Sequence, residues 1–215
     1  MIRLDMHIHT KYSKDGFLTA NQLVRACRKK GLNSIAICDH NTIKGALEFR
    51  DKVDVKVIVG EEIETERGEV IGLFLKNEVP SGLSVLKAIE MIKEQGGLVY
   101  IPHPFDGFRK SAIDIIVLKR IVDKIDIIDV FNSRTLFHHA NEDALRFARE
   151  NNILPAVGSD AHTEYEVGNS YMEMEDFSTK EEFLKSLKNA RLFTQRTPLF
   201  GRLRAKTMKI LSGMD

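Results

Sequence analysis

The chain is poor in cysteine, in net charge and in long apolar runs. Its 215 residues include two cysteines, and its net charge is +1 at pH 7. Two thiols, Cys27 in an expected helix and Cys38 at an expected strand end, cannot frame a disulfide scaffold or a thiolate zinc site. They read as core-filling residues of a reducing compartment. Near-zero charge excludes a global attraction to polyanions, so nucleic acid is not a partner implied by composition. The opening "MIRLDMHIH" lacks a secretory apolar stretch, and no segment approaches membrane-spanning length. A soluble, cytoplasmic protein with no membrane contact and no obligate protein partner is expected. Internal repeats, low-complexity tracts and linkers are also missing, which leaves one barrel-sized domain as the simplest organisation.

What is present is ordinary globular material, 43% hydrophobic and 29% charged. At this length a core can form without disulfides. Short apolar runs alternate with amphipathic stretches. "IRLDMHI", "SIAICD", "VKVIVGEEI", "EVIGLFL", "LVYIPHP", "IDIIDVFN" and "ILPAVGSDAH" read as strands. The third and fourth are joined through "ETERG". Helices are expected over "TANQLVRACRKKG", with Thr19 as N-cap and Gly31 as stop, and over "TIKGALEFRDKV" and "LSVLKAIEMIKEQGG". Further helices are expected over "SAIDIIVLKRIVDK", "HHANEDALRFARENN" and "STKEEFLKSLKNAR". For the last, Ser178 is the N-cap candidate, with Glu181 three residues on. About seven alternations with short connections predict an α/β protein with a parallel sheet closed into a barrel. The basic stretch 197–215 breaks the pattern and is expected to pack on the barrel as a terminal helix.

The histidines are informative through their positions. Of seven, five fall at or just past strand ends: His7, His9, His40, His103 and His162. Glu61 and Glu62 follow "VIVG", and Asp15, Asp39 and Asp160 have similar addresses, whereas His138 and His139 open a helix. In a barrel of parallel strands the carboxyl ends share one face, where active sites are built. There His7, His9, His40, Glu62, His103, Asn132, Asp160 and His162 would converge. Residues 7 and 9 have the period-two spacing that puts two side chains on one side of a strand. Singly, each residue could be a satisfied polar group or a turn, as in the Asx-type reading of "GSD". Together, imidazoles and carboxylates without thiolates suit a site for zinc, manganese or iron.

The ordered segments "HIHTKYSKDG", "AICDHNT", "GEEIET", "IPHP", "IDVFNSR" and "GSDAH" resemble the PHP (polymerase and histidinol phosphatase) domain family. The resemblance runs from residue 7 to residue 162. It implies a distorted seven-stranded (β/α)7 TIM-like barrel with two to three divalent metal ions. By this resemblance His7, His9, Glu62 and Asp160 hold a first metal, and Glu62 bridges to a second that includes His103. Asp15, His40 and His162 bind a third, the aspartate standing where some members have histidine. Glu62 is preferred to Glu61 because the family glutamate falls two residues after the glycine, here Gly60. Two departures stand out. Some relatives supply a further histidine to the second metal, but "GEVIGLFLKNEVPSG" has none. Only forty residues separate Glu62 from His103, which leaves no room for an inserted lid.

The implied activity is that of a metal-dependent phosphoesterase. A metal-activated hydroxide would attack phosphorus directly, with Glu62, His103, Asp160 and His162 as catalytic residues. The expected substrate is a nucleotide or another small phosphorylated metabolite, with a short oligonucleotide as a further candidate. Arg134 in "NSR", Arg109 after "HPFDG" and Asn132 are the candidates for phosphate contact, and Asp39 for orienting a ligand histidine through its ring N–H. The competing readings are a 3′–5′ exonuclease, a histidinol phosphatase, a C–N bond amidohydrolase and a degenerate metal-binding scaffold.

Overall fold

The strand expected over "IRLDMHI" is β1 (Ile2–Ile8) in a computed structural model, which describes residues 1–198. It is followed by β2 (Ser34–Ile37), β3 (Lys56–Thr65), β4 (Gly68–Leu73), β5 (Leu98–Ile101), β6 (Ile127–Asn132), β7 (Leu154–Gly158), β8 (Tyr171–Met174) and β9 (Arg191–Phe193). The helices are α1 (Ala20–Lys30), α2 (Lys44–Arg50), α3 (Val85–Glu94), α4 (Ile115–Arg120), α5 (His138–Glu150) and α6 (Lys180–Leu187). A single 3-10 turn covers Val122–Lys124. The strands form one sheet in the order β7-β6-β5-β4-β3-β2-β1-β8-β9. No helix among the described residues is long and apolar enough to cross a membrane.

Among the described residues the sheet has nine strands where seven are expected, and it is mixed rather than parallel. β1–β2, β2–β3, β5–β6 and β6–β7 are parallel, but β4 runs antiparallel to both neighbours. The reason is the length of "ETERG". Thr65 pairs with Gly68, leaving a two-residue turn, and a parallel crossover needs a dozen or more residues. The additional strands β8 and β9 form antiparallel extensions beyond β1.

β1 has two partners on its outer side. Its first half pairs with β8, from Ile2 to Leu4. Its last residue bridges to Ala161, just past β7. There the His9 amide donates to the Ala161 carbonyl (2.8 Å) and the Ala161 amide to the His7 carbonyl (3.3 Å). The fully buried Asp5 carboxylate supports this seam. It accepts from the Ser159 amide (2.9 Å), the Gly168 amide (2.9 Å) and the Ser159 hydroxyl. The sheet thereby curls into a nearly closed barrel, with α2 packed on β3, α3 on β4 and β5, and α5 on β6 and β7.

Local signals act as physical chemistry requires. Thr19 accepts from the Gln22 amide while the Gln22 side chain accepts from Thr19, a reciprocal cap on α1, and Gly31 ends that helix at φ 65°. Cys27 and Cys38 are both buried free thiols within the core. The cap of α6 differs from expectation by one residue: Thr179, not Ser178, accepts from the amide of Glu182, three positions on. Thr179→Ala should therefore cost about 1 kcal/mol of unfolding free energy, while Ser178→Ala should leave it nearly unchanged. Denaturant titration of both variants separates the two assignments. Of the basic segment 197–215, residues 199–215 lie outside the described residues.

Candidate metal centre

The backbone carries the pairing past the strand ends and aims side chains into one place. After β2, His40 bridges to Glu62, with the Glu62 amide donating to the Asp39 carbonyl (3.1 Å) and the Asn41 amide to the Glu62 carbonyl (3.0 Å). Asn41 (φ 56°), His103 (φ 31°) and Asp160 (φ 52°) occupy the left-handed region although none is glycine. Such residues cost about 1–3 kcal/mol each, and here they orient or adjoin the converging groups.

His7 and His9 lie on one side of β1, fully buried, with Nε2 atoms 2.9 Å apart. Glu62 Oε2 is 3.4 Å from His7 Nε2, 3.2 Å from His9 Nε2 and 3.3 Å from His40 Nδ1, while Oε1 is 3.1 Å from His103 Nε2. Asp160 Oδ1 lies 3.4 Å from His9 Nε2. Asp15 faces His40 Nε2 (3.6 Å) and His162 Nε2 (3.2 Å). Six of the eight expected ligands fall in two overlapping sets, His7–His9–Glu62 and His9–Asp15–His40–His162, and His103 and Asp160 adjoin them through Glu62 and His9.

Asp39 works less directly than expected. Its carboxylate accepts from the Thr10 amide (2.6 Å), the Thr10 hydroxyl (2.7 Å) and the Ser13 hydroxyl (3.0 Å). Ser13 Oγ in turn accepts from the His40 amide and lies 2.9 Å from His9 Nδ1. Since the Ser13 proton goes to Asp39, His9 Nδ1 must donate, so the Nε2 that faces Glu62 and Asp160 is the nitrogen that gains or loses a proton. Asp39 thus fixes the His9 proton on Nδ1 through Ser13, a residue with no signal of its own in the sequence.

The donor chemistry fits divalent cations. Buried His40 Nδ1, Glu69 Oε2 and Asp160 Oδ1 face the cluster without a hydrogen-bond partner, and each is an atom that can ligate a metal. Two further residues emerge only from the structure. Glu69, on β4, is 3% exposed and faces His40 and His103. Glu166 accepts from the His162 amide (3.0 Å) and holds that loop. Glu69 stands out in the sequence only as a charge beside the apolar run "VIGLFL". Glu61, the alternative to Glu62, points away and accepts from the Val79 amide (2.8 Å).

Electrostatics follow from this packing. Burial opposes charge on His7 and His9, but Glu62 and Asp160 outweigh it and push both up to about 9. Glu62 and Asp160 are held well below the usual carboxylate range by the cations around them, against the effect of burial. Burial and the Glu62 charge push Glu69 up to about 7. His103 falls to about 4 through burial and Arg109, and His162 to about 4 through burial and Arg134.

A pH prediction follows for His7 and His9. Their values lie above the ordinary 6.5, so their charged forms stabilise the metal-free fold below that pH, and this stability is lost as pH rises through about 9. A metal takes the neutral imidazoles. Loading at pH 7.5 should therefore release about two protons, measurable by calorimetric titration in buffers of different ionisation enthalpy. Metal uptake with no proton release contradicts the assignment.

The set floors an open cavity of about 410 Å³ whose lining includes Lys14, Asp15, Glu69, Arg109, Arg134 and His162. Arg109 Nη1 reaches Asp160 Oδ2 at 2.8 Å, and Arg134 contacts His162 Nδ1. Asn132 does not join them. It is fully buried, its amide donating to Asp129 (3.2 Å) and its carbonyl accepting from the Arg134 amide (2.9 Å), so it shapes the turn that carries Arg134. A larger, shallow depression of about 670 Å³ beside α3 is lined by lysines already paired with Glu90, Asp123 and Asp126, and gathers no imidazole.

Comparison with known proteins bears directly on this arrangement. Residues 5–98 match the PHP domain family, and residues 138–192 the PHP-associated family. An uncharacterized protein of Methanocaldococcus jannaschii, MJ0417, is 37% identical over 198 residues, covering 87% of this chain and 79% of that protein. The chain belongs to the PHP family. A two-domain protein of Bacteroides vulgatus, described as containing a predicted PHP-like metal-dependent phosphoesterase, shares the PHP fold with a TM-score of 0.72. It is 16% identical, over 97% of this chain and 69% of that one. A 5′-3′ exoribonuclease of Haemophilus influenzae is 30% identical over 125 residues, 51% of this chain and 45% of that protein.

Proposed function

We propose that the protein is a metal-dependent phosphoesterase hydrolysing a nucleotide or other small phosphorylated metabolite with two to three divalent ions, of Zn, Mn or Fe. One observation carries the reading. A floor of imidazoles and carboxylates sits beneath a rim bearing Arg109 and Arg134, in a cavity open to solvent. His7, His9, Glu62 and Asp160 would hold one ion, Glu62 and His103 would share in a second, and Asp15, His40 and His162 would hold a third. Bound there, the ions would lower the pKa of water to about 7 and neutralise charge on phosphate oxygens.

The remaining work falls to the chain's own groups. Arg109 and Arg134 offer planar donors suited to bidentate contact with phosphate oxygens. Ser13 and Asp39 keep His9 in the tautomer that presents Nε2. His103 and His162, both depressed to about 4, are neutral at pH 7 and serve as lone-pair donors rather than acids. A second reading, hydrolysis of an oligonucleotide end, is favoured by the similarity to the Haemophilus exoribonuclease. The test is a screen with Mn2+, Zn2+ and Fe2+ of nucleotides, bisphosphates and histidinol phosphate for phosphate release, and of short oligonucleotides for mononucleotide release. An ammonia assay on amides and amidines runs in parallel. Metal-dependent release from phosphate esters supports the proposal. Ammonia release without phosphate release overturns it in favour of C–N chemistry.

A further inference from the structure

The hairpin β3–β4 places a carboxylate where the sequence showed no ligand. Its register pairs Glu62 with Ile71 and Glu64 with Glu69, so Glu62 and Glu69 project from the same face of adjacent strands. Glu69 is 3% exposed. Its Oε1 lies 3.6 Å from His40 Nδ1 and its Oε2 3.6 Å from His103 Nε2, and Oε2 has no hydrogen-bond partner. One ligand atom each from His40, Glu62 and Glu69 falls within 4.8 Å of the other two.

Two buried carboxylates side by side repel and lose hydration, an arrangement that persists when a cation lies between them. We infer that Glu69 is a ligand of a divalent cation shared with Glu62 and His103, and that it biases this position toward oxygen-preferring ions such as Mn2+ over Zn2+. The inference rests on the metal-dependent reading above and adds the identity of the ligand and the class of ion selected. Two carboxylates and one imidazole offer mostly hard oxygen donors and two negative charges, matching a divalent ion. An imidazole at position 69 would halve that charge and favour zinc. His40 Nδ1 faces the same place, but its Nε2 is directed to Asp15, and an imidazole that ligates through Nε2 keeps its proton on Nδ1, which leaves Glu69 and His103 as the side chains completing this position.

The experiment measures metal rather than turnover. The full chain, stripped with EDTA, is dialysed against Mn2+ alone and against equal free Mn2+ and Zn2+. Bound metal is then counted for wild type, Glu69→Gln and Glu69→His. Thermal unfolding in EDTA establishes that each variant folds. The expected result is loss of one equivalent of Mn2+ in Glu69→Gln. In Glu69→His the equivalent returns with its Mn2+/Zn2+ ratio shifted at least about tenfold toward zinc. Should Glu69→Gln not fold, the Glu69→His ratio decides alone. Full Mn2+ stoichiometry in Glu69→Gln, or an unchanged ratio in Glu69→His, overturns the inference while leaving the phosphoesterase reading intact. A wild-type chain that binds no divalent ion overturns both.

Discussion

Glu62→Gln is expected to lower kcat/KM for any phosphate-ester substrate by on the order of 10³-fold and to empty the centre of most of its metal. Among the described residues, Glu62 faces four imidazoles through two oxygens, at 3.1–3.4 Å from His7, His9, His40 and His103. Those neighbours hold it ionised despite complete burial. Glutamine keeps the shape but loses the charge and one of the two acceptors, so no shared anion remains between adjacent cation positions. Metal analysis and initial rates with Mn2+ check both halves of the expectation. Glu61→Gln is the matched control, because the neighbouring side chain leaves the opposite face of β3 and binds the Val79 amide. Full metal content and full activity in Glu62→Gln would remove the basis of the site.

Gly158→Ala should damage fold and site together. A methyl group built on Gly158 would lie 2.6 Å from His7 Cβ and 3.3 Å from the His7 amide nitrogen. Neither is the end of a flexible side chain, so relief requires β1 and β7 to separate. The same displacement would stretch the bonds by which Ser159 meets Asp5 and Ala161 meets β1. Overpacking of this kind costs about 1–3 kcal/mol, or about 2–12 °C in Tm for a chain of this size, and it would displace His7 from the proposed metal position. Gly107→Ala is the comparison, since a methyl group there meets nothing within 4 Å. Calorimetric scans and metal content of the two variants test the point. A Gly158→Ala protein with unchanged Tm would show that the seam tolerates what its geometry forbids.

The addresses of the ligands were legible because chemistry and strand ends coincide. "HIH" has a strand's two-residue repeat, and "CDH", "PHP" and "SDAH" each close an apolar run. Residues whose roles depend on another strand were not legible. Glu69 sits in a run whose alternation does not tell which face is inward until the hairpin register with β3 is known. Ser13 resembles any loop serine until Asp39, 26 positions away, takes its proton. Asn132 has the right position at a strand end, yet its amide is used within its own turn.

By itself the sequence determined the alternation of helices and strands, the capped ends of α1, and the placing of imidazoles and carboxylates at strand ends. These depend on neighbours within a few residues, and local periodicity and capping record them. Tertiary structure alone decided the two short strands added beyond β1, the seam through Asp5, and which oxygen faces which imidazole. "YMEM" and "RLF" are too short to carry a period of their own and become strands because the edge of β1 offers unpaired backbone groups. Pairing across such distances is selected by closure of the whole sheet, and no window of residues contains that information.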